Sequence, residues 1–125
     1  MARIYFDTEF LEDGKTIQLI SIGPVKVSEG KIAHYYAETI KAADLAQTNE
    51  WLKDNVAPHL RGGTYVKSTQ VLADEIKKFV GEMPQFWAYY ADYDWVVLCQ
   101  LYGTMLDLPE DWPKYARDMK QIIDE

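Results

Sequence analysis

The sequence predicts a mixed α/β sheet, a three-strand antiparallel meander followed by α/β units, with helices packed on its faces. Two observations lead there. Up to Ile40, apolar and polar side chains alternate between turn signals, which is the period of strands. From Ala42 onward apolar residues recur at helical spacing, interrupted by one short aromatic run. Hairpins first and α/β alternation afterwards favour a mixed sheet covered by helices. No linker, repeat or low-complexity tract interrupts the 125 residues, so one domain, 1–125, is expected.

Arg3 to Glu9 places Ile4, Phe6 and Thr8 on one face and Tyr5, Asp7 and Glu9 on the other. Asp13-Gly14 is a hairpin turn signal, and Thr16 to Gly23 reads as the second strand. Ser28-Glu29-Gly30 turns again into Lys31 to Ile40, rich in β-branched and tyrosine residues. Ala42 to Asn55, with Leu45, Trp51 and Leu52, is expected to be helical and to end before Pro58. Arg61-Gly62-Gly63 reads as a loop. Ser68 then suits an N-cap for a helix carrying Val71, Leu72, Ile76, Phe79 and Val80. Gln85 to Tyr90 is a short aromatic strand, and Asp92 or Tyr93 opens a helix with Val96, Val97, Leu98 and Leu101 inward, closing at Gly103. Leu108 to Pro113 is a proline-punctuated loop, and Tyr115 to Ile123 a short element of open type. This order fits a ribonuclease-H-like layer better than a doubly wound domain, which would begin βαβ.

Composition narrows the function. Hydrophobic residues at 48% and charged residues at 26% exclude a disordered chain. A net charge of −7 and a pI near 4.8 exclude a general basic-patch nucleic-acid binder, so a polyanionic substrate would need local neutralisation. No apolar run approaches the roughly 18 residues of a membrane span. The segment Met1 to Asp7 sets an acid where a secretory signal needs apolar residues, and Cys99 has no partner thiol in the chain. A cytoplasmic location without membrane contact is therefore expected.

Asp7 and Glu9 project from the same face of a strand, with Cα atoms about 7 Å apart. Two carboxylates so close raise each other's pKa unless a cation lies between them, and a hard ion such as Mg²⁺ or Mn²⁺ prefers oxygen ligands. The alternative is a solvated face on an edge strand. Asp94 follows the aromatic strand in the first helical turn, where α/β folds place ligands. Acids also cap helices there, and Asp92 is the better capping candidate.

Asp7-Thr8-Glu9-Phe10 together with Tyr93-Asp94 resembles the first two motifs of the DEDD superfamily, a D-x-E on the first strand and an aromatic–Asp pair well downstream. The run from Tyr5 to Gly14 with Ile17 to Gly23, and that from Phe86 to Gly103, look like a group of small bacterial and phage 3′–5′ exoribonucleases, and the likeness spans residues 3 to 123. The resemblance implies a metal-dependent exoribonuclease that hydrolyses the 3′ end of single-stranded RNA, with two Mg²⁺ or Mn²⁺ ions about 3.5–4 Å apart. By the same carry-over Asp7 bridges both ions, Glu9 holds the ion on the nucleophile side and Asp94 anchors the second. Phe10, Tyr90 and Trp95 are the stacking candidates, whereas Trp87 and Tyr89 are read as core.

One motif is missing. The family's third, a His or Tyr a few residues ahead of an Asp on a late helix, has no match beyond Gly103. Tyr115 and Asp118 are one residue too close, and Asp124 has no companion. Three explanations are open: a chain shorter than the functional protein, a natural inactive variant, or a second chain that supplies the helix, for which a homodimer is the simplest case. His34 is expected to be structural on strand three, His59 has no supporting spacing, and Arg61, with Lys67 nearby, is weighed as a phosphate contact but reads more simply as a solvated basic loop. The rival functions are a non-catalytic binding module that keeps the fold, and a small-molecule hydrolase pairing Glu9 with Asp94 as acid and base.

Overall fold

A computed structural model describes residues 2–123; Asp124, weighed above for the third motif, lies outside the described residues. Its centre is the long hairpin of β1 (Arg3–Glu12) and β2 (Ile17–Ser28), paired antiparallel from Arg3↔Val27 to Glu12↔Ile17. Asp13 ties the turn by accepting at Oδ1 from Lys15 N at 2.9 Å and Thr16 N at 2.7 Å, and Gly14 takes a left-handed φ of 89°. Around this hairpin the described strands form one mixed sheet in the order β5 (Val66–Lys67), β4 (Ala37–Thr39), β2, β1, β6 (Gln85–Ala88), β7 (Arg117–Asp118), with β3 (Lys31–His34) also on β2. The expected meander and the later parallel additions are both present.

The third expected strand is broken in two, β3 (Lys31–His34) and β4 (Ala37–Thr39). Pro24 explains the break. Its carbonyl accepts from Tyr35 N at 3.1 Å, but it has no N–H to return, so the ladder lapses at Tyr35–Tyr36. Consequently β3 stands proud of the molecule, and His34 and Ile32 are exposed rather than partly buried.

The expected helix from Ala42 to Asn55 is likewise two, α1 (Ala42–Leu45) and α2 (Glu50–Asn55). Asn49 starts the second by accepting at Oδ1 from Leu52 N at 2.8 Å, a preference that competes with continuation through the helix. Trp51 is exposed, whereas Leu52 joins Ile20, Ala42, Ala46 and Val56 in a small core on one face of the sheet.

The other face carries α3 (Thr69–Val80) and α4 (Ala91–Gln100). Ser68 caps α3 as expected, and Leu72, Ile76 and Val80 are buried while Val71 is exposed. In α4 Val97 and Leu98 face inward but Val96 does not. The main core gathers Ile4, Phe6, Phe86, Leu72, Ile76 and Leu98. Phe86 is its hub, with ring centroids 5.9 Å from Phe6, 5.4 Å from Trp95 and 4.9 Å from Trp112. Cys99 is buried in this layer.

Strand β6 (Gln85–Ala88) is shorter than expected; Tyr89 and Tyr90 have already turned out to solvent. Two strands of two residues each, β5 (Val66–Lys67) beside β4 and β7 (Arg117–Asp118) beside β6, have no sequence period to betray them. With the short helix α5 (Lys120–Ile123), β7 settles the type of the last element. Asp118 also replaces Asp92 as the cap of α4. It accepts from Tyr90 N at 3.0 Å and Ala91 N at 3.1 Å; the bond from Lys120 N foremost, then these two, hold its carboxyl below the usual range. Among the described residues no helix is long and apolar enough to cross a membrane.

Candidate active site

β1 pairs with β6 only from Arg3 to Tyr5, and beyond that point its free edge opens a notch at the ends of two parallel strands. The backbone N–H of Thr8 would be orphaned there. Asp94, in the first turn of α4, fills the place of the missing strand: its Oδ1 accepts from Thr8 N at 3.0 Å and from the Thr8 hydroxyl. Asp94 is only 6% exposed and is therefore a placed residue, not a solvated cap.

On β1 itself, Ile4, Phe6 and Thr8 are buried against α3 and α4, and Asp7 and Glu9 emerge on the opposite face. β1 lies between β2 and β6, but Asp7 and Glu9 stand past the end of its pairing with β6, Asp7 exposed and Glu9 partly buried. That face is only partly covered, by α2 and the 3₁₀ turn Ala57–His59. Asp7 lines two cavities at once. One, of about 430 Å³, also takes in Thr8, Phe10, Tyr90, Tyr93 and Asp94; the other, of about 330 Å³, takes in Glu9, Ser21, Tyr36, His59 and Arg61. A third, of about 320 Å³, runs from Glu9 and Phe10 to Trp51. A larger apolar cavity of about 490 Å³, between Leu19, Leu45 and Val97, has no acid in its wall.

The electrostatics bind the three acids together. Loss of hydration raises the Asp7 carboxyl despite the solvent it keeps. Burial likewise raises Glu9, with the charges of Asp7 and Asp94 adding to it and His59 opposing. Asp94 is raised by burial and by Asp7, against the pull of its Thr8 hydrogen bonds. Among the described residues no three carboxylate, imidazole or thiol groups stand close enough to enclose an ion. The three carboxylates are neighbours around a cleft rather than a closed cage, yet an all-oxygen donor set whose members disfavour each other's charge fits a hard divalent cation.

Of the stacking candidates, Phe10 lies edge-on to Tyr93 at 5.7 Å and Tyr90 is 60% exposed; both line the cleft with Asp94. Trp95 is not brought there, since it packs on Phe86 in the core layer. Tyr89 is exposed instead of core, and Trp87 is half-buried against Tyr5.

Sequence reasoning missed the contribution of the segment after α2. His59 reaches Glu9 because the chain folds back at Pro58 over the β1–β2 face, an approach no spacing encodes. The signal that was legible was Glu38, a charged residue between Ala37 and Thr39 on a strand facing the core. It is 1% exposed and accepts from Arg61 N at 2.6 Å, Gly62 N at 3.0 Å and the Tyr36 hydroxyl at 2.6 Å.

Thr8→Val tests the notch. Valine keeps the shape but removes the hydroxyl donor to Asp94, and we expect a loss of about 1–2 kcal/mol in urea unfolding. A smaller apparent affinity for divalent cation should accompany it, read by thermal shift.

A family model described as the 3′-5′ exoribonuclease Rv2179c-like domain matches residues 2–123. Two proteins of Mycobacterium tuberculosis are similar to the chain: 3′-5′ exoribonuclease Rv2179c of strain H37Rv and 3′-5′ exoribonuclease MT2234.1 of strain CDC 1551 / Oshkosh. Each is 34% identical over 129 residues, covering 98% of this chain and 74% of the relative.

Proposed function

Since the chain belongs to the Rv2179c-like 3′–5′ exoribonuclease family, we propose that it hydrolyses single-stranded RNA from the 3′ end as a DEDD-type nuclease. The observation that carries this reading is the placement of Asp7, shared by two cavities that bring Glu9 to one side of it and Asp94 to the other.

Asp7, Glu9 and Asp94 would hold Mg²⁺ or Mn²⁺. When bound, such ions supply an activated water, charge neutralisation of the departing 3′-oxygen and the positive charge that a chain of net −7 lacks. The protein's own part is placement. Thr8 fixes one oxygen of Asp94 through two hydrogen bonds, and Asp94 lines the cleft with Asp7. His59 shares a cavity with Asp7 and Glu9. Phe10 and Tyr90 offer ring faces for unpaired bases, each worth about 1–3 kcal/mol in single-strand binding.

Incubation of 5′-labelled single-stranded RNA with Mn²⁺ or Mg²⁺ should give a ladder that shortens one nucleotide at a time. EDTA should stop it and fresh cation restore it. Absence of shortening with either cation, or shortening that survives EDTA, overturns the reading. The rival module draws on the open arrangement of the carboxylates and predicts RNA or cation binding with no ladder at all.

The same carboxylates predict a stability signature. Each is raised in the fold, so the folded state keeps more protons than the unfolded chain just above the ordinary carboxylate range, and stability falls as pH climbs through that window. A divalent cation reverses the penalty. At neutral pH Mg²⁺ or Mn²⁺ should raise the melting temperature, and the rise should fade on acidification as the acids protonate.

A further inference from the structure

The geometry points to Arg61, with Tyr36 and Tyr65, as a subsite that holds one nucleotide of the RNA strand, the phosphate on the guanidinium and the base on the exposed face of Tyr65. This rests on the reading of the substrate as RNA and adds a site the carboxylates do not provide.

The subsite is built, not a loose loop. The buried Glu38 carboxylate anchors the backbone N–H groups of Arg61 and Gly62, and Tyr36 is tied to the same carboxylate. Gly62 can present its N–H there only by adopting φ 63° and ψ −158°, a backbone state essentially reserved to glycine. With the backbone fixed, the Arg61 guanidinium carbon lies 4.3 Å from the centre of the Tyr36 ring and 5.2 Å from that of Tyr65. The two rings meet edge to face at 5.7 Å, and Tyr65 keeps 40% of its surface exposed.

Three features select a nucleotide as occupant. First, among the described residues the guanidinium forms no ion pair, whereas the nearby Lys67 is drawn to Glu75 at 3.8 Å. Second, the planar fork of an arginine matches a phosphate, and a guanidinium held on aromatic rings presents a flat surface to a base. Third, the cavity that Arg61 lines continues to Asp7 and Glu9, so one strand can occupy both. In so acidic a protein Arg61 offers a phosphate positive charge without a metal ion.

The test is equilibrium fluorescence anisotropy with a short 5′-fluorescein oligouridylate in EDTA, across a salt series. R61A should weaken binding about ten-fold and flatten the slope of log affinity against log salt by about 0.7, the value for one phosphate contact on a single strand. R61K should restore the slope but not the full affinity, because lysine keeps the charge and loses the plane. Y65A should weaken binding several-fold with the slope unchanged. Unchanged affinity and slope in R61A overturns the subsite. So does affinity lost at an unchanged slope, since the arginine then only braces the loop, and so does a wild type that binds no RNA. If R61A melts below the assay temperature, Y65A decides: wild-type affinity overturns the proposal. RNA shortening by a wild type whose affinity ignores Arg61 sinks the subsite alone; Arg61-dependent binding without shortening sinks the hydrolytic reading alone.

Discussion

Asp7→Asn should reduce RNA shortening by at least about 10³-fold, the scale on which one electrostatic group at a reacting centre acts, while leaving the protein more heat-stable in EDTA than the wild type. The two effects have one cause. Asp7 carries its charge against a loss of hydration and raises the proton affinity of both Glu9 and Asp94. Asparagine has nearly the same shape, sits on the partly open face of β1 and removes the charge, so the repulsion among the acids falls. The same change should abolish the thermal stabilisation by Mg²⁺ or Mn²⁺. A gel assay of labelled RNA and a melting series with and without cation check both halves. An inactive variant that melts earlier than wild type in EDTA would make Asp7 a structural residue.

Glu38→Ala should cost about 3 kcal/mol in urea unfolding, because it strands three donors at once around a carboxylate that is itself buried. The carboxylate holds Arg61 N, Gly62 N and the Tyr36 hydroxyl, and Tyr36 is pushed up to about 12 by its own burial and by that bond. Burial opposes ionisation of Glu38, but the hydroxyl, the two backbone N–H groups and the Arg61 charge outweigh it and hold the carboxyl below the usual range. Its pH dependence is therefore opposite to that of the cleft acids. The folded state binds fewer protons here, so the stabilisation is complete above the ordinary glutamate range and is lost as pH falls through the lowered value. Glu38→Gln keeps one acceptor and should recover part of the loss. Urea midpoints from neutral to acidic pH measure both variants against wild type, and an E38A midpoint equal to wild type would show that the 57–63 segment is held by other contacts.

What the sequence disclosed follows from what is local. The alternation of Ile4, Phe6 and Thr8 against Asp7 and Glu9 is a property of one strand, and the structure keeps it residue for residue. Ser68 capping α3 is equally local. The failures need distant partners. Nothing near Asp94 announces that Thr8 would donate to it, nor does anything near Asp118 announce that it would cap a helix starting 27 residues earlier. His59 and Arg61 reach the cleft through a loop whose path is set by a buried acid on another strand. Pro24 was visible, but its effect falls on the neighbouring strand, which is why the third strand was read as continuous.

Cys99 has a practical consequence. It is the sole thiol, 6% exposed, and burial raises it further from the reactive thiolate. A cysteine introduced on the surface, in place of the exposed Lys15 beside the β1–β2 turn for instance, would then take a maleimide dye almost alone. The unaltered chain is thus already a suitable background for site-directed labelling, and distances between dyes could be followed as a strand of RNA is drawn in.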